Sequence, residues 1–143
     1  MAEHVIDATN AIVGRLSVHA AKLALKGETV KIVNVEKAIM TGNRAFILSK
    51  YSRVRDERGQ IRHGPYMNRR SDMFVRRIIR GMLPFEKKPG REAFRRVLCY
   101  IGVPPELKDA KHEPLEAKAN VAKLTNTKYI TISELCKHLG ARA

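Results

Sequence analysis

The first thirty-five residues read as a strand, a helix and a second strand joined by short links. His4 to Asp7 is a short apolar segment, and Ala8-Thr9-Asn10 follows as a turn or cap. From about Ile12 to Lys26, Val13, Leu16, Ala20, Leu23 and Ala24 recur on one helical face. Arg15, His19, Lys22 and Lys26 recur on the other. Gly27 supplies a stop, and the β-branched run Thr29 to Val35 is a strand. Such a unit closes as a right-handed crossover, which commits the chain to a parallel sheet with helices packed on it. At 143 residues the chain is expected to form one domain, residues 1–143, around one core.

The remainder alternates apolar seams with basic faces. Thr41-Gly42-Asn43 is a turn that opens a helix to about Val54, with Ile47, Tyr51 and Val54 as its seam. Arg55 to Arg70 lacks periodicity and holds Gly59, Gly64 and Pro65, so it reads as a long loop, either functional or disordered in the free protein, with Arg53 to Arg70 expected to order on a partner. Ser71 reads as the cap of a helix from Asp72 to Met82. Phe74, Val75, Ile78, Ile79 and Met82 cluster on its apolar side, with Arg76, Arg77 and Arg80 on the reverse. Pro84 to Gly90 reads as a basic loop. A shorter helix follows from Arg91 to Leu98, with Phe94, Val97 and Leu98 inward and Arg91, Arg95 and Arg96 largely outward. Leu98 to Ile101 reads as a further strand, and Glu106 to Leu124 as a surface meander. Lys128 to Thr131 is extended, and Thr131 with Glu134 makes a capping box for a last helix, Ile132 to Leu139.

Charge sharpens the functional reading. Sixteen of the 28 Lys and Arg residues lie between Arg44 and Arg96, against five acids, and that stretch carries +11 of the net +14. Positive charge so confined repels itself unless a polyanion neutralises it. Thirteen of the sixteen are Arg, whose planar fork grips phosphate bidentately. The segments that turn Arg away from an apolar seam name the candidates. They are Arg53, Arg55, Arg58, Arg62, Arg69 and Arg70, then Arg76, Arg77 and Arg80, then Lys87, Lys88, Arg91, Arg95 and Arg96. With no Trp and four each of Phe and Tyr, a fold built on base-stacking platforms is disfavoured. A compact body docking on folded RNA by shape and phosphate is favoured.

Other chemistries find little support. The first strand-to-helix link, Asp7 to Arg15, lacks the glycine pattern that lets a backbone approach a pyrophosphate. The five His residues show no metal-ligand spacing, and Asp56-Glu57, flanked by Arg55 and Arg58, reads as a salt-bridged loop and not an acid–base pair. Cys99 and Cys136 read as reduced, partly buried thiols. No apolar run approaches membrane-spanning length, and the start is unlike a signal peptide. The expectation is a soluble cytoplasmic protein without catalytic residues, metal, cofactor, small-molecule substrate or membrane partner. A nucleotide-dependent enzyme is the rival reading.

Three blocks in order carry a resemblance. Asp7-Ala-Thr with Gly14-Arg15-Leu16 is the first, and Val33-Asn-Val-Glu-Lys-Ala-Ile-Met-Thr-Gly-Asn43 the second. The third is Arg80-Gly-Met-Leu-Pro84 with Gly90-Arg91, running into Leu98-Cys-Tyr-Ile-Gly102. Together they resemble the ribosomal large-subunit protein thirteen family across roughly Val5 to Pro105. Arg62-His-Gly-Pro65, Gly102-Val-Pro-Pro105 and the closing Lys128-Tyr-Ile-Thr-Ile-Ser-Glu-Leu135 are similar to its archaeal and eukaryotic members. The absence of bacterial and eukaryotic additions favours an archaeal source. The resemblance implies a three-layer α/β/α fold with a four-stranded parallel sheet, plus an extension over residues 105–143 with a short helix. It also implies a structural, non-enzymatic role in the large subunit: binding ribosomal RNA, touching neighbouring ribosomal proteins and aiding early assembly. An extra-ribosomal regulator that binds messenger RNA is the alternative it brings. Arg80, Lys87, Lys88 and Arg91 would touch RNA, and Lys37 and Arg44 flank the second block. Asn34 and Glu36 would organise that loop by hydrogen bonds, or Glu36 would start a helix.

Overall fold

In the computed structural model the described residues are 2–57, 64, 66–108, 110, 112–113, 119–124 and 128–141. The fold is α/β, built on a four-stranded, wholly parallel sheet. Strand β1 (Glu3–Asp7) leads into α1 (Val13–Leu25) and β2 (Thr29–Val33), as the opening pattern requires. After a 3-10 turn, Val35–Lys37, come β3 (Ile39–Thr41), α2 (Arg44–Glu57), α3 (Ser71–Gly81) and α4 (Lys88–Arg95). Then follow β4 (Val97–Cys99), β5 (His112–Glu113), β6 (Tyr129–Thr131) and α5 (Ile132–His138). The sheet order is β4-β2-β1-β5, and β3 pairs antiparallel with β6 as a separate two-stranded ribbon.

Side-chain alternation divides the two faces of the sheet. Ile6, Val30, Ile32 and Val97 point to the main core, where they meet Leu16, Ala20 and Ala24 of α1 and Phe74, Val75 and Ile79 of α3. Ala93 of α4 and Ile132 and Leu135 of α5 join the same core. Val5 and Val33 point the other way, against Leu107 in the 3-10 turn Pro105–Leu107, with Val103 and Tyr100 beside them. The third layer of the fold is this thin cover. Both faces are thus closed, as a parallel sheet demands.

Several boundaries differ from the sequence expectations. Helix α2 runs three residues beyond Val54, so the Asp56-Glu57 pair sits on its last turn and not in a loop. Ser71 is not the cap of α3. Arg70 occupies that position without a side-chain capping bond, and Ser71 is the first helical residue, buried beside Cys136. Helix α4 starts earlier than expected, with Pro89 in its first turn, where its missing N–H is harmless. Val97 and Leu98 belong to β4. Met82 is 39% exposed because α3 ends before it, so it is not part of the apolar face.

Candidate nucleic-acid interface

The second resemblance block organises the ends of three parallel strands. Asn34 sits in the left-handed region at φ 55°. From there its amide donates to Asp7 Oδ1 at 3.0 Å, which also accepts from the N–H (2.9 Å) and hydroxyl (2.7 Å) of Thr9. Partial burial pushes the Asp7 carboxyl up, and the Thr9 and Asn34 hydrogen bonds outweigh it, so its pKa lies below the ordinary value. Glu36 Oε2 accepts from Gly102 N at 3.1 Å, and Asn34 N donates to Gly102 O at 3.0 Å. Both residues tie the loop by hydrogen bonds, and Glu36 also lies in the first turn of the 3-10 segment, so each of the two alternatives for it has a counterpart in the structure. Lys37 stands exposed at the end of the 3-10 turn.

The Arg residues of α2 and its surroundings are largely occupied by carboxylates. Arg44 pairs with Glu134 of α5. Arg53 pairs with Glu57 one turn on at 2.6 Å, and Arg55 forks onto Asp56 at 2.6 and 2.9 Å. Arg70 forks onto Asp72 at 3.2 and 2.8 Å, across the first turn of α3. Arg69 lies against Gly140 at the end of α5. Arg58 and Arg62 lie outside the described residues, as do the other loop positions 59–61, 63 and 65. Solvent screens these pairs, least at Arg70–Asp72 where the carboxylate is largely covered, so an incoming phosphate can compete for each fork.

The α3–α4 corner is different. Arg77 reaches the Tyr66 carbonyl at 3.4 Å. Arg80, Lys87, Lys88, Arg91 and Arg95 are exposed, and among the described residues none of the five forms an ion pair. Arg80 Cζ lies 4.6 Å from the centre of the Phe85 ring, and Arg76 Cζ lies 4.6 Å from that of Phe94. Arg76 is half-buried, and its Nε has no hydrogen-bond acceptor among the described residues, so the ring face is what steadies its charge. Arg96 faces elsewhere. It is half-buried and donates to the Ala24 carbonyl at 3.4 Å, closing the last turn of α1.

Sequence spacing thus collects Arg80, Lys87, Lys88, Arg91 and Arg95 on one corner, with Arg76 beside them, while Arg77 turns toward Tyr66 and α2. Arg96 is excluded from that corner, and Phe85 and Phe94 are added as ring partners that composition did not reveal. Their signal was the i, i+4 pair Arg76 and Arg80 followed closely by two aromatic residues. The basic face of α1 (Arg15, Lys22, Lys26) is exposed as well, with Val18 and Leu25 exposed on the same helix.

Residues 1–106 match the family model described as ribosomal protein L13. The chain belongs to the ribosomal protein L13 family. Similar relatives are the large ribosomal subunit protein uL13 of Methanococcus maripaludis, 44% identical with 96% of this chain and 98% of the relative aligned, and that of Methanocaldococcus jannaschii, 45% identical over the same shares. The uL13 of Methanopyrus kandleri is 44% identical over 95% of this chain and 86% of its own length. All three organisms are archaea, and the L13 family is one of structural ribosomal proteins and not of enzymes. The alignments with these relatives continue beyond residue 106 into the part of the chain that holds β6 and α5.

Proposed function

We propose that this chain is a structural component of the large ribosomal subunit. In that reading it binds large-subunit ribosomal RNA through its Arg-rich surfaces, lies beside neighbouring ribosomal proteins and aids early subunit assembly in the cytoplasm. The observation that carries the reading is the cluster Arg80, Lys87, Lys88, Arg91 and Arg95, charged and without ion pairs among the described residues, on a corner fixed by the core. An unneutralised cluster on a rigid corner lets RNA backbones approach one another without mutual repulsion. Lys37, Arg44, Arg53, Arg55, Arg58, Arg62, Arg69, Arg70, Arg76 and Arg77 extend the proposed surface, and Arg96, which faces the end of α1, borders it. Residues 105–143 serve the same unit, since β5 extends the main sheet and α5 enters the main core.

The test is RNA–protein crosslinking in lysate with gradient fractionation. The expected result is crosslinks to large-subunit ribosomal RNA in the subunit peak, on peptides within Arg53 to Arg96. Crosslinks chiefly to messenger RNA at the top of the gradient would overturn the reading in favour of a regulator. In solution the affinity for such RNA should fall with salt at a log–log slope of about −5, since six phosphates, one for each of the five cluster cations and one for Arg76, each release about 0.7–0.9 of a counterion.

A further inference from the structure

We propose that Phe85 and Phe94 are positioning residues that hold Arg76 and Arg80 as a preset pair of phosphate-binding forks, an inference that rests on the RNA-binding reading above. Arg76 and Arg80 are one turn apart and share a side of α3. Each guanidinium carbon lies 4.6 Å from the centre of its own ring. The rings in turn meet edge to face, their centroids 5.5 Å apart and their planes at 87°. The four side chains form one contiguous stack, Arg76, Phe94, Phe85, Arg80. Its ring half is fixed from below. Phe85 follows the buried Leu83, and its N–H donates to the Leu83 carbonyl at 2.7 Å. Phe94 rides on α4, whose Gly90 is pressed against the Pro84 carbonyl.

A ring and a carboxylate hold a guanidinium in chemically opposite ways. A carboxylate takes the N–H edge and cancels the charge, as Asp56 does to Arg55 and Asp72 to Arg70. A ring takes the face and leaves the charge intact; at the exposed Arg80 the N–H edge stays open for the two parallel bonds that phosphate accepts, whereas at Arg76, whose Nε is buried, the fork must be the terminal Nη pair. Ring contact also restricts the side chain before binding, so less rotamer entropy is lost when phosphate arrives. Lysine has no face to stack, so it cannot replace either Arg while keeping the geometry.

The experiment measures binding of the full chain to a transcript of archaeal large-subunit ribosomal RNA across a salt series, with thermal unfolding as the check on folding. F85L/F94L keeps apolar bulk without the ring quadrupole and should bind about 5-fold more weakly, with an unchanged salt slope. F85Y/F94Y, which restores the rings, should bind as the parent does. R76Q/R80Q should flatten the slope by about 1.4–1.8, two phosphate contacts' worth. R80Q should cost less affinity in the F85L/F94L background than in the parent, because the two changes break the same contact. Should F85L/F94L unfold, R80K carries the test, since it keeps charge and fold and is still expected to bind more weakly. Parental affinity in F85L/F94L or in R80K overturns the role of the rings while leaving RNA binding intact. Parental affinity and slope in R76Q/R80Q overturn the fork pair itself. Absence of salt-dependent binding in the parent would instead defeat the RNA-binding reading, and this inference with it.

Discussion

Gly90→Ala is the substitution whose outcome the structure forces most strongly. Gly90 is buried in the first turn of α4. A Cβ built there would stand 2.0 Å from the Pro84 carbonyl oxygen, 2.3 Å from its carbon and 2.9 Å from Phe85 N. All three are backbone atoms, so no rotamer change can make room. Real Cβ contacts stay above 3.0 Å, so α4 and the Pro84–Phe85 peptide must part by about 1 Å. The peptide is poorly placed to yield, because the Pro84 carbonyl accepts from Lys87 N at 3.0 Å and Leu83 beside it is buried. Overpacking of this kind costs about 1–3 kcal/mol, and the upper end applies where the obstacle is backbone. Alanine's better helix propensity returns at most about 1 kcal/mol. The net loss is about 2 kcal/mol, or a fall in Tm of about 6–8 °C for a chain of this size. Gly14→Ala and Gly81→Ala are the controls, since a Cβ meets nothing within 4 Å at either helical position. There propensity acts alone, and both variants should be unchanged or gain about 0.5 kcal/mol. Urea or thermal unfolding of the three variants decides the matter. A Gly90→Ala protein as stable as Gly14→Ala would refute the argument that close approach, and not helix propensity, sets the sign.

Three further outcomes follow from local geometry. Asp7 has a depressed pKa, so its contribution is complete above the unfolded value of about 3.9 and is lost as pH falls through the folded value. Asp7→Ala should lower stability at pH 7 by about 2 kcal/mol and flatten the acid limb of a Tm-against-pH curve; an unaltered limb would exclude Asp7 as its source. Thr131→Ala removes the hydroxyl that accepts from Glu134 N at 3.3 Å and should cost about 1 kcal/mol, read as a lower denaturant midpoint at the same m-value. Burial pushes the thiol of the half-buried Cys99 up to about 12, against the pull of nearby Arg76, so at pH 8 a thiol reagent should label Cys99 far more slowly in the native protein than after denaturant is added; equal rates would contradict the raised pKa.

What could be read from sequence depended on how far the determining contact lies along the chain. The crossover from β1 through α1 to β2 was legible because each element declares itself within its own residues. So was the cap of α5, whose donor is three residues from its acceptor. The start of α4 was not, because Lys87-Lys88-Pro89-Gly90 has the composition of a loop. Proline is nonetheless suited to a first turn, and the glycine answers a steric demand from Pro84 that only the fold creates. The cap of α3 failed for a similar reason: a serine reads as a cap whether its hydroxyl faces its own helix or, as here, the thiol of Cys136. The β3–β6 ribbon joins three-residue strands some ninety positions apart, and such short strands leave no periodicity to detect.

The candidate surface was legible in its charge and not in how that charge is engaged. Counting Arg treats Arg53 and Arg80 alike, yet their costs of binding differ. To reach phosphate, Arg53 must release Glu57, and Arg44 must release Glu134, ninety residues away and invisible to any local rule. In the proposed RNA complex each such exchange gives up a screened surface pair and leaves an uncompensated acid beside the RNA. Arg80, Lys87, Lys88, Arg91 and Arg95 have no such pair to break among the described residues, so their full attraction for phosphate counts toward affinity. Equal numbers of cations on the two sides of α3 should therefore contribute unequally, the α4 side setting affinity and the α2 side tightening only where its acids find other partners. Removing the competing acid reverses that order locally. Glu57→Gln should raise RNA affinity by up to about 5-fold through Arg53, whereas Glu92→Gln, whose carboxylate pairs with none of the described residues, should act only through long-range charge and lose its effect once salt shortens the screening length to a few Å.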